Sequence, residues 1–116
     1  MVEIKSTKEE DILFIDVVGE IDASSSIHLD NALKQALDDK EKYVAVNLEG
    51  LAYISSAGLG VFISYVEEFE LAQLKAVLYG MNEAVQEVFQ ILGLEKLLTI
   101  VTNKEEAKSA LQKVEE

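Results

Sequence analysis

The alternation of strand-like and helix-like stretches is the feature of this sequence that most constrains its fold. Short runs rich in β-branched residues predict strands, and apolar residues that recur at intervals of three and four predict helices. Two predicted strands open the chain, a helix follows, and a strand-helix pair is then repeated three times. Such crossovers favour parallel pairing of the later strands. The order therefore predicts an α/β sandwich with a mixed, mostly parallel sheet of about five strands and about four helices.

The patterns also place these elements along the chain. We expect Gly19 to break the second strand, Asn82 to precede the third helix and Gly93 to end it. Thr102 and Glu105 have the spacing of a capping box ahead of the last helix. The predicted strands are residues 2–6, 12–18, 43–48, 74–79 and 97–101. The predicted buried stripes of the helices are Leu29, Leu33, Ala36 and Leu37; Leu59, Phe62, Ile63 and Val66; Val85, Val88, Phe89 and Leu92; and Ala107, Ala110, Leu111 and Val114.

The composition bounds the size of the protein and its partners. Its 116 residues, 49% of them hydrophobic, suit one globular domain that spans positions 1–116. The 22 acidic residues against 10 basic ones give a formal charge of −12, which disfavours direct contact with nucleic acid or with anionic membranes. The same charge either steers a basic protein partner towards the chain or serves only solubility.

Residue types that are missing or rare exclude several kinds of site. The absence of cysteine excludes disulfides, thiolate metal sites and a cysteine nucleophile. No apolar run approaches the ~18 residues of a membrane span, and the amino terminus lacks a secretory signal, so we expect no membrane insertion and a cytoplasmic location. Because His28 is the single histidine, we do not expect a metal site built from several imidazoles. His28 itself is expected to be exposed.

The stretch YISSAGLG, residues 53–60, places two serines where a strand ends and a helix begins. In one interpretation Ser55 or Ser56 is only a helix cap, whose hydroxyl accepts a backbone hydrogen bond and stabilises the helix by about 1 kcal/mol. In the other, the partial positive charge of the helix start accommodates a phosphate on a serine. Phosphorylation would add about −1.5 to −2 charges to an already acidic surface and could abolish docking with a partner.

Two glycines follow the serines, and helices disfavour glycine by about 1 kcal/mol relative to alanine. Gly58 and Gly60 therefore indicate either a close approach of some ligand to the backbone or tight packing of the helix on the sheet. A serine hydrolase is a weaker alternative, since Ile54 stands where the first glycine of a G-x-S-x-G elbow belongs and His28 is the only histidine.

Three stretches, GEIDASS, LEGLAYISSAGLGVF and VFQILGLEKLLTIVTNKEEA, give the chain a resemblance to a known family along nearly its whole length. The chain resembles the STAS domain, and specifically the small bacterial anti-sigma factor antagonists that consist of one such domain. In that family the serine matching Ser56 is phosphorylated. The resemblance implies that Asp22, with the hydroxyl residue Ser25, contributes to partner recognition; an equal alternative is that Asp22 only caps the first helix. The remaining residues that the resemblance assigns to partner binding are Ser55, Ala57, Gly58 and Leu59.

The resemblance also implies a regulatory cycle. The unmodified protein would bind an anti-sigma factor that is itself a serine kinase, release the sigma factor, become phosphorylated, and be reset by a PP2C-type phosphatase. ATP and magnesium would be bound by the kinase, so the chain itself is expected to be neither an enzyme nor in need of a cofactor. The alternative is a STAS subunit of a signalling scaffold or of a transporter ATPase complex that is never phosphorylated.

One residue departs from the family pattern. Ser55 occupies the position where the family most often has aspartate. Loss of a charge beside the acceptor leaves two opposite outcomes open, since it either impairs Ser56 as a kinase substrate or makes the phosphorylated form easier to hold. Ser55 is also a possible second acceptor.

Overall fold

A computed structural model describes residues 2–112 of the protein. Within them the chain forms five strands and four helices, and a single 3₁₀ turn, Leu94–Lys96, follows the third helix. The strands are β1 (Val2–Glu9), β2 (Ile12–Ile21), β3 (Tyr43–Ile54), β4 (Lys75–Tyr79) and β5 (Thr99–Val101). The helices are α1 (Ser26–Asp38), α2 (Ser56–Leu71), α3 (Glu83–Ile91) and α4 (Lys104–Gln112).

The strands form one sheet in the order β1-β2-β3-β4-β5. β1 pairs with β2 in antiparallel fashion, and β2, β3, β4 and β5 run parallel to one another. The prediction of a mixed, mostly parallel sheet is therefore confirmed. Because parallel strands finish at the same edge of a sheet, the loops after β2, β3 and β4 lie at one end of the molecule.

The sheet is covered on both faces, as a sandwich requires. The larger core joins β2, β3 and β4 to α1, α2 and α3, with Ile15, Leu33 and Phe89 at most 1% exposed. A smaller core on the opposite face packs Ala107 and Leu111 of α4 against alternate residues of the same strands. The predicted stripe position Val114 lies outside the described residues.

Two strands are longer than their apolar runs indicated. β2 continues past Gly19 to Ile21, and β3 continues past Gly50 to Ile54, so the prediction that Gly19 breaks β2 is wrong. The two strands shift register near these glycines. Gly19 has a φ of 109°, and a Cβ on Gly50 would lie 2.9 Å from Cγ2 of Val18. A glycine inside a strand marks an irregularity of pairing here and not the end of the strand.

The buried face of α2 is also different from the prediction. Leu59 and Phe62 are buried as expected, but Ile63 is 43% exposed. Tyr65 and Phe69 are buried in its place, and the Tyr65 hydroxyl donates to the Asp30 carbonyl of α1 at 3.2 Å. The helix is thus rotated so that its aromatic side chains, and not Ile63, enter the core.

The predictions for α3 and α4 are partly confirmed, since α3 ends at Ile91 and Gly93 follows its C-cap with a φ of 71°. Asn82 does cap α3, since its side chain accepts from Val85 N at 2.7 Å. Leu92 is 57% exposed, so the predicted stripe of α3 is too wide. The capping pair of α4 lies one residue later than Thr102 and Glu105: Asn103 Oδ1 accepts from Glu106 N at 2.9 Å. The Glu106 carboxylate in turn accepts from Thr102 N at 2.8 Å.

Candidate functional site

The candidate site lies where β2 and β3 end side by side. Ile21 and Ile54 are register partners at these ends, and both side chains are buried. One residue further on, the Ser55 amide donates to the Ile21 carbonyl at 2.8 Å. This bond ties the start of α2 to the loop that follows β2, so the serine pair and the Asp22 loop are held at the same end of the sheet.

Ser55 is the N-cap of α2. Its backbone is extended, with φ −90° and ψ 174°, and its Oγ accepts from Gly58 N at 3.4 Å. Its carbonyl accepts the first helical bond, from Leu59 N at 3.0 Å. The residue is half-buried. The capping interpretation of the serine turn therefore applies to Ser55.

Ser56 is the first residue of α2, and its side chain is exposed together with that of Ala57. Its hydroxyl makes no hydrogen bond with any of residues 2–112. The two neighbouring serines are therefore in different situations. One hydroxyl is occupied in closing the helix start, and the other is open to an approaching protein.

The two glycines of the turn also differ. Gly58 is buried, and a Cβ there would lie 2.7 Å from both Cγ2 of Ile21 and Cγ1 of Ile54. It lets the helix start rest directly on the two strand ends, so tight packing explains it. Gly60 is exposed, and a Cβ there would meet no atom of residues 2–112 within 4 Å. Leu59, between them, is buried in the larger core.

Asp22 organises the loop between β2 and α1. Its Oδ1 accepts from Ser24 N and Ser25 N, both at 3.0 Å, and from Ser24 Oγ at 2.8 Å. The Ser25 hydroxyl also donates to this oxygen at 3.0 Å. The bond from the Ser24 hydroxyl, followed by those from the hydroxyl and the backbone of Ser25, lowers the pKa of Asp22 to about 2. The donors precede the helix, and Ser25 is the N-cap of α1, so the alternative in which Asp22 caps the first helix is wrong.

Ser25 is the inner support of this loop. It is 8% exposed, and its Oγ accepts from Asp22 N at 2.9 Å. Ser24 was not among the predicted site residues. In an Asx turn an aspartate side chain accepts a hydrogen bond from the backbone two residues further on. The spacing of Asp22 and Ser24 fits such a turn, and this pattern would have identified Ser24 from the sequence.

The end of the molecule that carries the serines is acidic. The segments around the serines, residues 19–25, 48–58 and 80–83, contain four carboxylates and no lysine or arginine; beyond the loop after β5, Lys104 is paired with Glu9 at 3.3 Å. The carboxylates are those of Glu20, Asp22, Glu49 and Glu83. Partial positive charge at this end comes from the backbone N–H groups at the helix starts, and those of α2 lie directly at the serines.

Residues 2–112 were also compared with what a metal site, a serine hydrolase site and a membrane-spanning helix require. Within residues 2–112 no group of three or more histidine, cysteine, aspartate or glutamate side chains is arranged to hold a metal ion. His28 is exposed on α1 as expected and shares no hydrogen bond with Ser55 or Ser56, so no serine-histidine pair of a hydrolase is formed. In the described part of the chain, no helix combines the length and the apolar character needed to cross a membrane.

A profile of the STAS domain matches residues 3–107. The chain belongs to the STAS domain family, which confirms the family resemblance. An anti-sigma-B factor antagonist of Listeria monocytogenes is 30% identical over 99 residues, which cover 85% of this chain and 86% of that protein.

Two solved structures share the fold. An anti-sigma factor antagonist from Mycobacterium paratuberculosis aligns with a TM-score of 0.89 at 17% identity, over 97% of this chain and 95% of the other. The Bacillus cell fate determinant SpoIIAA in its phosphorylated form aligns with a TM-score of 0.70 at 20% identity, over 98% of this chain and 99% of the other. The Listeria relative and the Mycobacterium structure are thus both named as antagonists, and the two solved structures share the fold of this chain.

Proposed function

We propose that this protein is an anti-sigma factor antagonist that is switched by phosphorylation of Ser56. Unphosphorylated, it binds an anti-sigma factor serine kinase and frees the sigma factor; phosphorylated, it no longer binds. The observation that carries the proposal is the exposed, unoccupied Ser56 hydroxyl beside the occupied Ser55 hydroxyl. The names of the relatives support the antagonist role. A PP2C-type phosphatase resets the cycle, which takes place in the cytoplasm.

The geometry favours Ser56 over Ser55 as the acceptor. Transfer moves the γ-phosphoryl group of ATP to the serine oxygen, gives the hydroxyl proton to the kinase and releases ADP. Ser55 would have to give up its bond with Gly58 N and leave its half-buried position, whereas Ser56 is ready at the surface. Ser55 also supplies the cap that an aspartate supplies, so the departure from the family pattern leaves the helix start intact.

The new charge would act mainly on the partner. The helix start tolerates a phosphate on its first residue, because its free N–H groups and dipole favour anions. The surrounding acidic end has no lysine that could neutralise the phosphate. We therefore expect the phosphate to remain outside any ion pair of this chain and to repel carboxylates, or crowd the space, at the surface where the kinase docks.

The other predicted contact residues divide by exposure. Half-exposed Asp22 and exposed Ala57 can touch a partner beside Ser56. Buried Ser25, Gly58 and Leu59 act from beneath, since they fix the Asp22 loop and the first turn of α2. A partner role for these five residues, and for Ser55, remains part of the proposal.

The test uses the purified protein, the anti-sigma factor kinase of the source organism and Mg-ATP. Mass spectrometry should find one phosphate, on Ser56, that is absent from Ser56→Ala and retained in the matched control Ser55→Ala. Isothermal titration without hydrolysable ATP should show binding of the unmodified protein and at least about a tenfold weaker affinity after phosphorylation, which corresponds to about 1.4 kcal/mol. Equal affinity of the two forms would refute the switch. Co-purification of a transporter ATPase or a large scaffold, with no phosphate on the chain, would instead support a permanent STAS subunit.

A further inference from the structure

Gly60 has no structural reason to be glycine. Its surroundings are open, because an added Cβ would meet no atom within 4 Å, and no positive φ is found there. A glycine inside a helix weakens it relative to alanine. Packing does require a glycine at Gly58, two residues earlier, because an added Cβ there would lie 2.7 Å from two core side chains. No contact with residues 2–112 therefore explains the glycine at position 60.

Gly60 stands one turn after Ser56 on the exposed side of α2. Residues four apart on a helix are neighbours, with Cβ atoms about 5–6 Å apart. Helical side chains lean towards the N-terminus, so each covers the surface over the preceding turn. A side chain longer than that of alanine at position 60 would thus extend over the flank of the Ser56 hydroxyl, and glycine leaves that flank bare.

We propose that Gly60 determines access to Ser56: the missing side chain leaves the space into which the active site of the modifying kinase fits. Phosphoryl transfer needs the hydroxyl, the γ-phosphate and the catalytic base within contact of one another. The kinase must therefore close around Ser56 from the solvent side. This inference rests on the proposed phosphorylation of Ser56 and adds the residue that permits it.

The test compares Gly60→Ala and Gly60→Leu with the wild type, using the same purified kinase and Mg-ATP. Both substitutions replace glycine by a good helix former in open space, so both should raise the melting temperature by a few degrees. The initial rate of Ser56 phosphorylation should fall moderately for alanine and at least about tenfold for leucine, since a misplacement of about 1 Å can reduce a rate by on the order of 10²-fold. A more stable protein that is a poorer substrate cannot be explained by a structural role of the glycine.

Ser109→Leu is the matched control, because it places a leucine on the exposed side of α4, across the sheet from α2. Its phosphorylation rate should stay within about twofold of the wild type, in contrast to the decrease expected from blocked access. If wild-type protein is phosphorylated and Gly60→Leu is phosphorylated equally fast, the access role of Gly60 is refuted while the switch stands. If wild-type protein is never phosphorylated, the proposed function itself fails.

Discussion

Alanine substitutions at Gly58 and Gly60 should change the stability of the protein in opposite directions. Both residues lie in the first turns of α2, and both gain about 1 kcal/mol of helix propensity on the change to alanine. At Gly60 nothing opposes this gain, since the new methyl group would meet no atom within 4 Å. Gly60→Ala should therefore stabilise the free protein by about 1 kcal/mol.

At Gly58 the new methyl group would collide with the core. Its contacts at 2.7 Å are with Ile21 and Ile54, whose side chains are 0% and 5% exposed. The colliding atoms, Cγ2 and Cγ1, lie one bond from the Cβ of each isoleucine, so they cannot move aside without rotating the side chain or lifting the helix. Overpacking of this kind costs about 1–3 kcal/mol, and the upper part of that range applies to two collisions. After the propensity gain, Gly58→Ala should destabilise the protein by about 1–2 kcal/mol.

Urea denaturation followed by circular dichroism measures both effects. With a slope of about 2 kcal/mol per M, the midpoint should rise by about 0.5 M for Gly60→Ala and fall by about 0.5–1 M for Gly58→Ala. Equal slopes would show that the comparison concerns stability alone. Shifts of the same sign for the two variants would refute the assignment of Gly58 to packing and of Gly60 to an open surface.

Three further outcomes follow from the site. Because the pKa of Asp22 is lowered to about 2 in the fold, its contribution to stability is present above about pH 4 and is lost as the pH falls towards 2. In thermal melts, Asp22→Asn should lack this pH-dependent part of the stability. An acid profile identical to that of the wild type would contradict the loop geometry. Asn82→Ala removes both the cap on Val85 N and the donor to the Leu51 carbonyl at 3.1 Å. The free energy of unfolding should therefore fall by about 1–3 kcal/mol in urea titrations. Asn82→Asp keeps the cap and should recover part of the lost stability. Ser55→Asp should keep the cap and leave Ser56 the only residue that mass spectrometry finds phosphorylated; a phosphate lost from Ser56 would show that a neutral neighbour is required.

The sheet and the serine turn could be predicted from the sequence because local patterns determine them. Apolar runs with β-branched residues located β2 to β5, and a weak alternation located β1. The serines between an apolar run and a helical stripe located the start of α2. The rotation of α2 could not be predicted in this way. Leu59 and Phe62 belong to two overlapping stripes, and the true one is selected by contacts distant in sequence: Gly58 against Ile21, and Tyr65 against a carbonyl of α1.

The different situations of the two serines were likewise invisible in the sequence. Their equal chemistry left both open as cap or acceptor. The serine that directly follows the last paired residue of β3 becomes the cap of α2. That serine is Ser55, whose amide is held by the Ile21 carbonyl. The extra length of β3, which passes Gly50 through a shift of register, sets where that bond forms.

The start of α2 separates inward-facing from exposed positions within six residues. Ser55, Gly58 and Leu59 face inward, where they cap the helix, rest on two strand ends and fill the core. The other three residues of the segment, Ser56, Ala57 and Gly60, are exposed. Because a helix turns by about 100° per residue, adjacent positions can belong to different faces. Substitutions in the inward set should therefore change the free energy of unfolding, whereas substitutions in the outward set should change recognition by the kinase and leave the fold intact or more stable. The proposed switch depends on this separation, because a charge on Ser56 would then leave the inward contacts of the domain in place.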